Sequence, residues 1–155
     1  MARSGTINFQ DFEKIKRNLE KLSQEQVDSF IEACAKELAA RLIAKVIKRT
    51  PVGDYPNSSG KKGGTLRRGW TGGKTSSAVS YVDSLTIHHF GNAYVIEIIN
   101  PVEYVSHVEF GHRTANHKGW VNGRFMLTIS EQEIQSSAPS IIEKKLMKQL
   151  GELFT

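Results

Sequence analysis

Apolar residues recur at helical spacing in the first third of the chain. Between Gln24 and Arg49 they stand three or four positions apart, which places them on one face of an amphipathic helix. Ser23 and Gln26 form the capping-box pattern that begins a helix, and Pro51 disfavours a helical conformation for the residue before it. The sequence therefore predicts one long helix from about Gln24 to Arg49. Its predicted buried stripe comprises Val27, Phe30, Ile31, Cys34, Leu38, Leu42 and Val46.

The remaining apolar positions predict shorter elements and a final helix. A short amphipathic helix is expected over Asn8–Leu22, before the long one. After the glycine-rich region we expect a strand over Tyr81–Phe90, a two-residue turn at Gly91-Asn92, and a second strand over Ala93–Asn100 that is buried on both faces. A short helix is expected over Glu103–Phe110, and Gly111 should end it in a left-handed conformation. The segment from Phe125 to Ile129 fits a strand or a helix, and Pro139 suits the first turn of a C-terminal helix.

This order of elements, helices followed by strands and then helices, predicts an α+β fold. We expect the long N-terminal helix to pack on a small antiparallel sheet, with a short helix and a C-terminal helix completing the structure. The length of 155 residues fits a single domain over 1–155 that can bury a real core.

Composition narrows the class of protein. Hydrophobic residues make up 39% of the chain and charged residues 24%, which is ordinary for a globular protein. No apolar run reaches the ~20 residues that span a bilayer, and no secretory signal is visible, so neither a membrane contact nor export is expected. The single cysteine, Cys34, allows no internal disulfide, and synthesis in a reducing cytoplasm is the default expectation.

Residues 51–76 differ from the rest in holding seven of the thirteen glycines and few apolar side chains. A loop this long is uncommon inside a compact domain and is usually functional or disordered. We therefore expect a flexible, basic, glycine-rich loop over 51–76, in which residues 65–70 are pinned to the domain or begin a strand.

Positive charge is concentrated in the same part of the chain. Residues 36–74 carry ten Lys or Arg and two acidic residues, a net charge of +8, while the whole chain carries +5. Such a block can face a polyanion, which makes a nucleic-acid-binding protein that uses residues 48–74 an alternative function; the same charges also fit a solvated helix end and loop. The candidate assembly or DNA-facing side chains are Lys61, Lys62, Arg67, Arg68 and Lys74.

Three histidines recur every five residues: His107, His112 and His117. Imidazoles near a carboxylate are possible zinc ligands, so a metal-dependent enzyme is a further, weaker alternative. Five residues turn a helix by about 500°, however, which does not place these side chains on one face. We accordingly predict no catalytic, cofactor-binding or metal-ligating residue, and no cofactor.

Three stretches in this order carry a resemblance to a known family. The first is Thr50-Pro51, followed after an insert by Gly64-Thr65-Leu66 and Arg67. The second runs from Val102 to His112 and contains Tyr104, Glu109, Phe110 and Gly111. The third is Gly123–Leu127, ahead of the C-terminal helix. Over residues 27–150 the chain resembles the small tail-component proteins of long-tailed bacteriophages and prophages, which act as tail completion or head–tail joining proteins.

The resemblance implies a structural protein without catalysis. It implies assembly as a ring of copies of the chain or onto the end of the tail tube, and contacts with other neck or tail proteins. Passive contact with DNA is expected from the basic loop instead. The expected location is the host bacterial cytoplasm during assembly and then the virion. The structural motif residues that it assigns are Thr50, Pro51, Gly64, Thr65, Leu66, Tyr104, Glu109, Phe110 and Gly111.

Glu109 stands among apolar residues of this motif, so partial burial of its carboxylate is expected. A buried carboxylate needs a cation or several hydrogen-bond donors. The arginines in reach are Arg67, Arg68 and Arg113, and the resemblance favours Arg67 because its motif and that of Glu109 are the two most specific. A solvated Glu109 without a fixed partner is the alternative.

Overall fold

A computed structural model describes residues 17, 20, 22–73 and 76–154, and within them the fold is α+β. The elements are α1 (Gln24–Arg49), a 3₁₀ helix (Asn57–Ser59), α2 (Thr65–Gly69), α3 (Ala78–Asp83), β1 (Ile87–Phe90), β2 (Ala93–Ile96), α4 (Val105–Phe110), β3 (Gly111–Arg113), β4 (Trp120–Asn122) and α5 (Met126–Phe154). The strands form two separate antiparallel pairs, β1 with β2 and β3 with β4. The helix predicted over Asn8–Leu22 lies almost wholly outside the described residues.

The long helix α1 begins and ends where the sequence predicts. The Ser23 hydroxyl accepts a hydrogen bond from the Gln26 amide at 3.2 Å, and the Gln26 side chain accepts one from the Ser23 amide at 2.9 Å. Both halves of the capping box are therefore present. At the other end Thr50 is extended, as expected before Pro51.

The face that α1 buries overlaps the predicted stripe in part. Cys34 and Val46 of the stripe are buried, but so are Ala39 and Ile43, which the stripe leaves out, while Val27 is exposed. Ile43 and Ala39 pack with Val82 of α3, and Val46 packs with Met126 of α5. The stripe is therefore confirmed at Cys34 and Val46 and wrong in omitting Ala39 and Ile43, because α1 is apolar over a broad arc and its packing neighbours decide which residues are buried most deeply.

The C-terminal helix α5 runs antiparallel to α1 and is longer than predicted. Lys45 pairs with Glu133 at 2.7 Å and Glu37 with Lys145 at 2.9 Å, so ion pairs join the two helices along their length. The segment after Phe125 is helical, which settles the choice left open by the sequence. Pro139 lies inside α5 rather than in its first turn, so that prediction is wrong. Because proline has no backbone N–H, α5 lacks the backbone hydrogen bond that residue 139 would otherwise donate to the carbonyl of Gln135.

The region after residue 76 corrects two strand predictions. Residues 78–83, expected in part as strand, form α3, which the Ser77 hydroxyl caps by accepting from the Ser80 amide at 3.1 Å. The predicted turn at Gly91-Asn92 is confirmed, since Phe90 pairs with Ala93. The second strand ends at Ile96 instead of Asn100, and its side chains alternate between exposed and partly buried, so it is not buried on both faces.

The core consists of two neighbouring groups of buried side chains. One contains Val46, Leu66, Trp70 and Met126, and the other contains Ala39, Ile43 and Val82. Ile47 and Ile98 pack against both groups. Residues 65–69 of the glycine-rich segment form a helix rather than the start of a strand, and they contribute Leu66 to the core. No helix in the described part of the chain is long and apolar enough to cross a lipid bilayer.

Candidate functional site

Thr50 joins the end of α1 to α2. Its hydroxyl donates to the Val46 carbonyl at 2.7 Å and accepts from the indole N–H of Trp70 at 2.8 Å. Its carbonyl accepts two hydrogen bonds from the Arg67 guanidinium, at 3.1 and 2.7 Å. Thr50 and Trp70 are almost completely buried, at 0% and 2% exposure. The motif residues Thr50 and Leu66 are thus structural: they fix α2 against the end of α1.

Asn100 secures the other side of α2. Its side-chain amide donates to the Leu66 carbonyl at 2.9 Å, and its side-chain oxygen accepts from the Val102 amide at 3.1 Å. Gly69 is required here because a Cβ at that position would lie 2.2 Å from the Asn100 side-chain oxygen. Sequence reasoning missed Asn100, since an Asn before Pro101 looks like an ordinary turn signal.

The predicted basic side chains separate into two groups. Arg67 donates to Thr50, while Arg68 donates to the Gly63 carbonyl at 3.3 Å and lies 3.5 Å from the Thr65 hydroxyl. Lys61 and Lys62 are exposed, and Lys61 lies 5.9 Å above the Tyr55 ring. Lys74 lies outside the described residues.

Residues 53–63, here termed the basic loop, leave and re-enter the domain at nearly the same point. A Cβ on Gly63 would lie 2.0 Å from the Gly53 carbonyl oxygen and 2.8 Å from a Val52 methyl group, so the two ends of the loop are in contact. Only glycine fits this close approach. All residues from 53 to 62 are exposed, including Tyr55, Lys61 and Lys62. The loop is therefore an Ω-loop with a closed base and an exposed tip.

Glu109 is buried, as expected, but its partner is not Arg67. Its carboxylate accepts from the amides of Leu127 and Thr128 at 3.0 and 2.9 Å, and from the Thr128 hydroxyl at 2.8 Å. Leu127 and Thr128 belong to the first turn of α5, and the backbone N–H groups of a helix's first turn have no acceptor within the helix itself. Glu109 therefore caps α5 from another helix, and both the Arg67 pairing and the solvated alternative are wrong.

Backbone hydrogen bonds also connect α4 with α5, and here the donors precede α5 and the acceptors belong to α4. The amides of Arg124 and Phe125 donate to the carbonyls of Val108 and Glu109 at 2.8 and 3.0 Å, so the chain entering α5 satisfies the end of α4. Gly111 has φ +89° and ψ 171°, which leads directly into β3 rather than into the predicted left-handed cap. We call residues 108–111 together with 123–128 the α4–α5 junction.

An apolar groove of about 340 Å³ lies beside this junction. Its apolar lining residues are Trp70, Ile98, Ile99, Val105, Phe110 and Leu127. Ile99 and Phe110 are more than half exposed, at 56% and 60%. The charged groups of its lining are Glu109, which caps α5, and the exposed Glu131.

The motif residue Tyr104 precedes α4 and is not among the residues that line this groove. It lines, with Val108, a cleft of about 230 Å³ that also contains Lys62 and Tyr55 of the basic loop. Phe110, by contrast, turns toward the groove and meets Phe125 edge to face, with the ring centres 6.4 Å apart. Residues in and next to α4 therefore line both the cleft beside the basic loop and the apolar groove.

The structure brings together two of the three histidines that were considered as zinc ligands. The rings of His107 and His112 lie 5.5 Å apart. Within the part of the chain that the structure describes, no group of three or more His, Cys, Asp or Glu side chains is arranged to hold a metal ion.

The carboxylates whose pKa values are lowered accept hydrogen bonds from side chains of other elements. A hydrogen bond from Lys145, with a second from Arg41, lowers the pKa of Glu37, and bonds from Lys45 and Arg49 lower that of Glu133. The Tyr94 hydroxyl, 2.7 Å from Asp28, lowers the pKa of Asp28 and joins β2 to α1. These shifts arise from bonds that hold the fold together.

Comparison with protein families identifies the chain's relatives. Residues 13–111 match the model of the HK97-gp10-like family, described as "Bacteriophage HK97-gp10, putative tail-component". The match covers more than half of the chain. The chain belongs to this family. A search of curated proteins and a search of solved structures each found no significant match.

The matched region contains most of the network described above. It spans Thr50, α2, Asn100 and α4 up to Gly111, whereas Gly123–Leu127 and α5 lie beyond it. Membership of this family makes the chain a phage tail component, which is a structural protein of the virion in contact with other tail or neck proteins. The resemblance read from the motifs is thereby confirmed at the level of the family.

Proposed function

We propose that this chain acts in tail completion or head–tail joining, as a structural protein without catalysis that assembles as a ring or onto the tail end. The family match over residues 13–111 carries this proposal. Assembly would take place in the cytoplasm of the host bacterium and leave the protein in the neck or tail of the particle.

The surface of the molecule supports an assembly role. Large apolar side chains stand exposed around the α4–α5 junction, among them Phe110 at 60% and Trp120 at 59%. Exposed apolar groups that lie close together mark protein interaction sites more often than isolated ones do. The residues beneath them are held by the Glu109 and Thr50 networks, so the surface is presented by a fixed framework.

Nucleic-acid binding through residues 48–74 remains the second candidate, as a passive contact. Two of its strongest cations, Arg67 and Arg68, already donate to backbone carbonyls of the same chain. The exposed Lys48, Lys61 and Lys62 are left to face DNA. Neutralising Lys61 and Lys62 should then weaken salt-dependent retention of the protein on DNA, because each phosphate contact adds to the salt dependence.

Electron microscopy of particles from a strain that lacks this gene tests the proposal. We expect tails without heads, or heads without tails, and complete particles after the intact gene is supplied on a plasmid. Complete, infectious particles in the deletion strain would contradict a role in joining or completion.

A further inference from the structure

The apolar groove has an open edge of backbone as well as apolar side chains. Residues 97–99 continue the chain beyond β2 outside the β1–β2 ladder, and within the described residues their N–H and C=O groups make no hydrogen bond. Glu97 and Ile99 are exposed, while Ile98 between them is partly buried. Unpaired backbone groups of this kind, next to an apolar groove, are available to bind another chain.

The acidic groups at this groove are available to a basic partner. Glu131 belongs to its lining and is exposed, and Glu97 is exposed and directly precedes the lining residues Ile98 and Ile99. Neither carboxylate takes part in an ion pair among the described residues. The lining contains no Lys or Arg.

The basic loop has the complementary character. It exposes Lys61 and Lys62, neither of which pairs with a carboxylate within the described residues, and it exposes Tyr55 at 45%. Because Gly53 and Gly63 are in contact at its base, the exposed residues of the loop project together from one point of the domain. A loop with two cations and an aromatic ring matches a groove with two carboxylates and an apolar floor.

The two surfaces are distinct within one molecule. Tyr104 and Val108 line the cleft that contains the basic-loop residues Tyr55 and Lys62, whereas Val105 and Glu109 line the groove. Two different, complementary surfaces on one subunit form a head-to-tail interface between identical subunits. Such an interface gives a ring when the rotation between subunits closes.

We propose that the basic loop of one copy binds in the apolar groove of the next, with Lys61 and Lys62 facing Glu97 and Glu131 and Tyr55 on the apolar floor. The inference rests on the proposed assembly function and adds the two contacting surfaces. The occupant of the groove is thus a second copy of this chain.

Disulfide cross-linking inside assembled particles tests the contact. Lys62→Cys and Glu131→Cys are combined in a Cys34→Ser background, and particles made with this chain are oxidised and run on a non-reducing gel. We expect dimers and higher multiples of the chain. Each single-cysteine variant serves as the control and should give no multimers beyond dimer.

Two outcomes overturn the inference, and a third overturns the proposed function on which it rests. Incorporation of the double variant without multimers excludes the contact, and a cross-link to a protein of different mass assigns the groove to another partner. Absence of the unmodified chain from purified particles would instead overturn the proposed function on which the inference rests.

A charge-reversal series supplies an independent check. Lys61→Glu with Lys62→Glu should reduce assembly of complete particles at least tenfold, and so should Glu97→Lys with Glu131→Lys. Combining all four changes should restore assembly, because the charges are again complementary. Unchanged particle yield in both double variants, or no restoration in the combined one, would contradict the pairing.

Discussion

Single side chains decide how the elements of this protein join. Glu109 on α4 supplies its carboxylate to the first turn of α5, and Thr50 at the end of α1 supplies hydroxyl and carbonyl to Trp70 and Arg67. In both cases one buried polar residue satisfies groups that would otherwise be orphaned. The cost of removing such a partner is the desolvation of the groups left behind.

Replacing Glu109 by Gln should therefore destabilise the protein. The variant keeps one acceptor oxygen but turns an amide donor toward N–H groups, so we expect a loss of about 1–3 kcal/mol in the free energy of unfolding. Urea denaturation measures it. Glu103→Gln, at an exposed position two residues before α4, is the matched control and should change stability by less than about 0.5 kcal/mol. Equal effects of the two changes would refute the capping role.

Gly111 is restricted by conformation and by space together. Its φ of +89° and ψ of 171° suit glycine almost alone, and a Cβ would lie 2.4 Å from the Val121 carbonyl oxygen. Gly111→Ala should cost more than 2 kcal/mol, roughly the strain of such a conformation plus a clash. Gly91→Ala is the control, because Gly91 has φ +59° with nothing within 4 Å of its Cβ. Similar melting temperatures for the two variants would show that the clash does not occur.

At the scale of elements, the antiparallel pair of α1 and α5 forms the long axis of the fold. Glu133 of α5 meets both Lys45 and Arg49, and Arg49 also donates to the buried Ser130 at 3.1 Å. These bonds stabilise the ionised carboxylate and lower the pKa of Glu133. Hydrogen bonds from Lys145 and Arg41 lower the pKa of Glu37 in the same way.

The lowered pKa of Glu133 has a consequence for acid stability. A carboxylate with a lower pKa in the folded state stabilises the fold above its unfolded pKa, about 4.3, and loses that contribution as the pH falls through the folded value. The melting temperature should thus fall between pH 6 and pH 3, and the fall should be smaller in Glu133→Gln. Glu143→Gln, at an exposed position of α5, should keep the fall of the unmodified chain. An identical pH profile in Glu133→Gln would contradict this reading.

The basic loop and α2 should differ in their sensitivity to proteolysis. We expect trypsin to cut first after Lys61 or Lys62, which are exposed, and later after Arg67 or Arg68, whose guanidiniums hold the backbone and whose helix contributes Leu66 to the core. Mass spectrometry of the first fragments identifies the site. First cleavage within residues 36–45 would indicate that the loop is the more protected segment.

Local signals made some elements predictable from the sequence and left others hidden. The capping box at Ser23 and the proline after Thr50 fixed both ends of α1 correctly, because helix ends depend on neighbouring residues. Its buried face was predicted only in part: Val46 was foreseen, but Ile43 was not, because its burial depends on packing against Val82 of α3. The burial of Glu109 was foreseen from its apolar neighbours, but its donors stand eighteen and nineteen residues away in the first turn of α5.

For the whole molecule, the described residues form one framework with two different outward surfaces. Buried Trp70 links these parts, because it lies in the core beside Leu66, bonds Thr50 and lines the apolar groove. The basic loop shares a cleft with Tyr104 and Val108, and Val105 and Glu109 line the groove. A phage tail component with two such surfaces is suited to repeat around an axis, which is the geometry that we propose for tail completion or head–tail joining.

The central claim is that this chain is built into the particle at one end of the tail. Electron cryomicroscopy of purified particles tests it most directly. The account predicts ring-shaped density at the neck or tail terminus into which several copies of this fold fit, with the antiparallel α1 and α5 helices recognisable in each copy. Complete particles whose neck and tail-end density is fully explained by other proteins would contradict it.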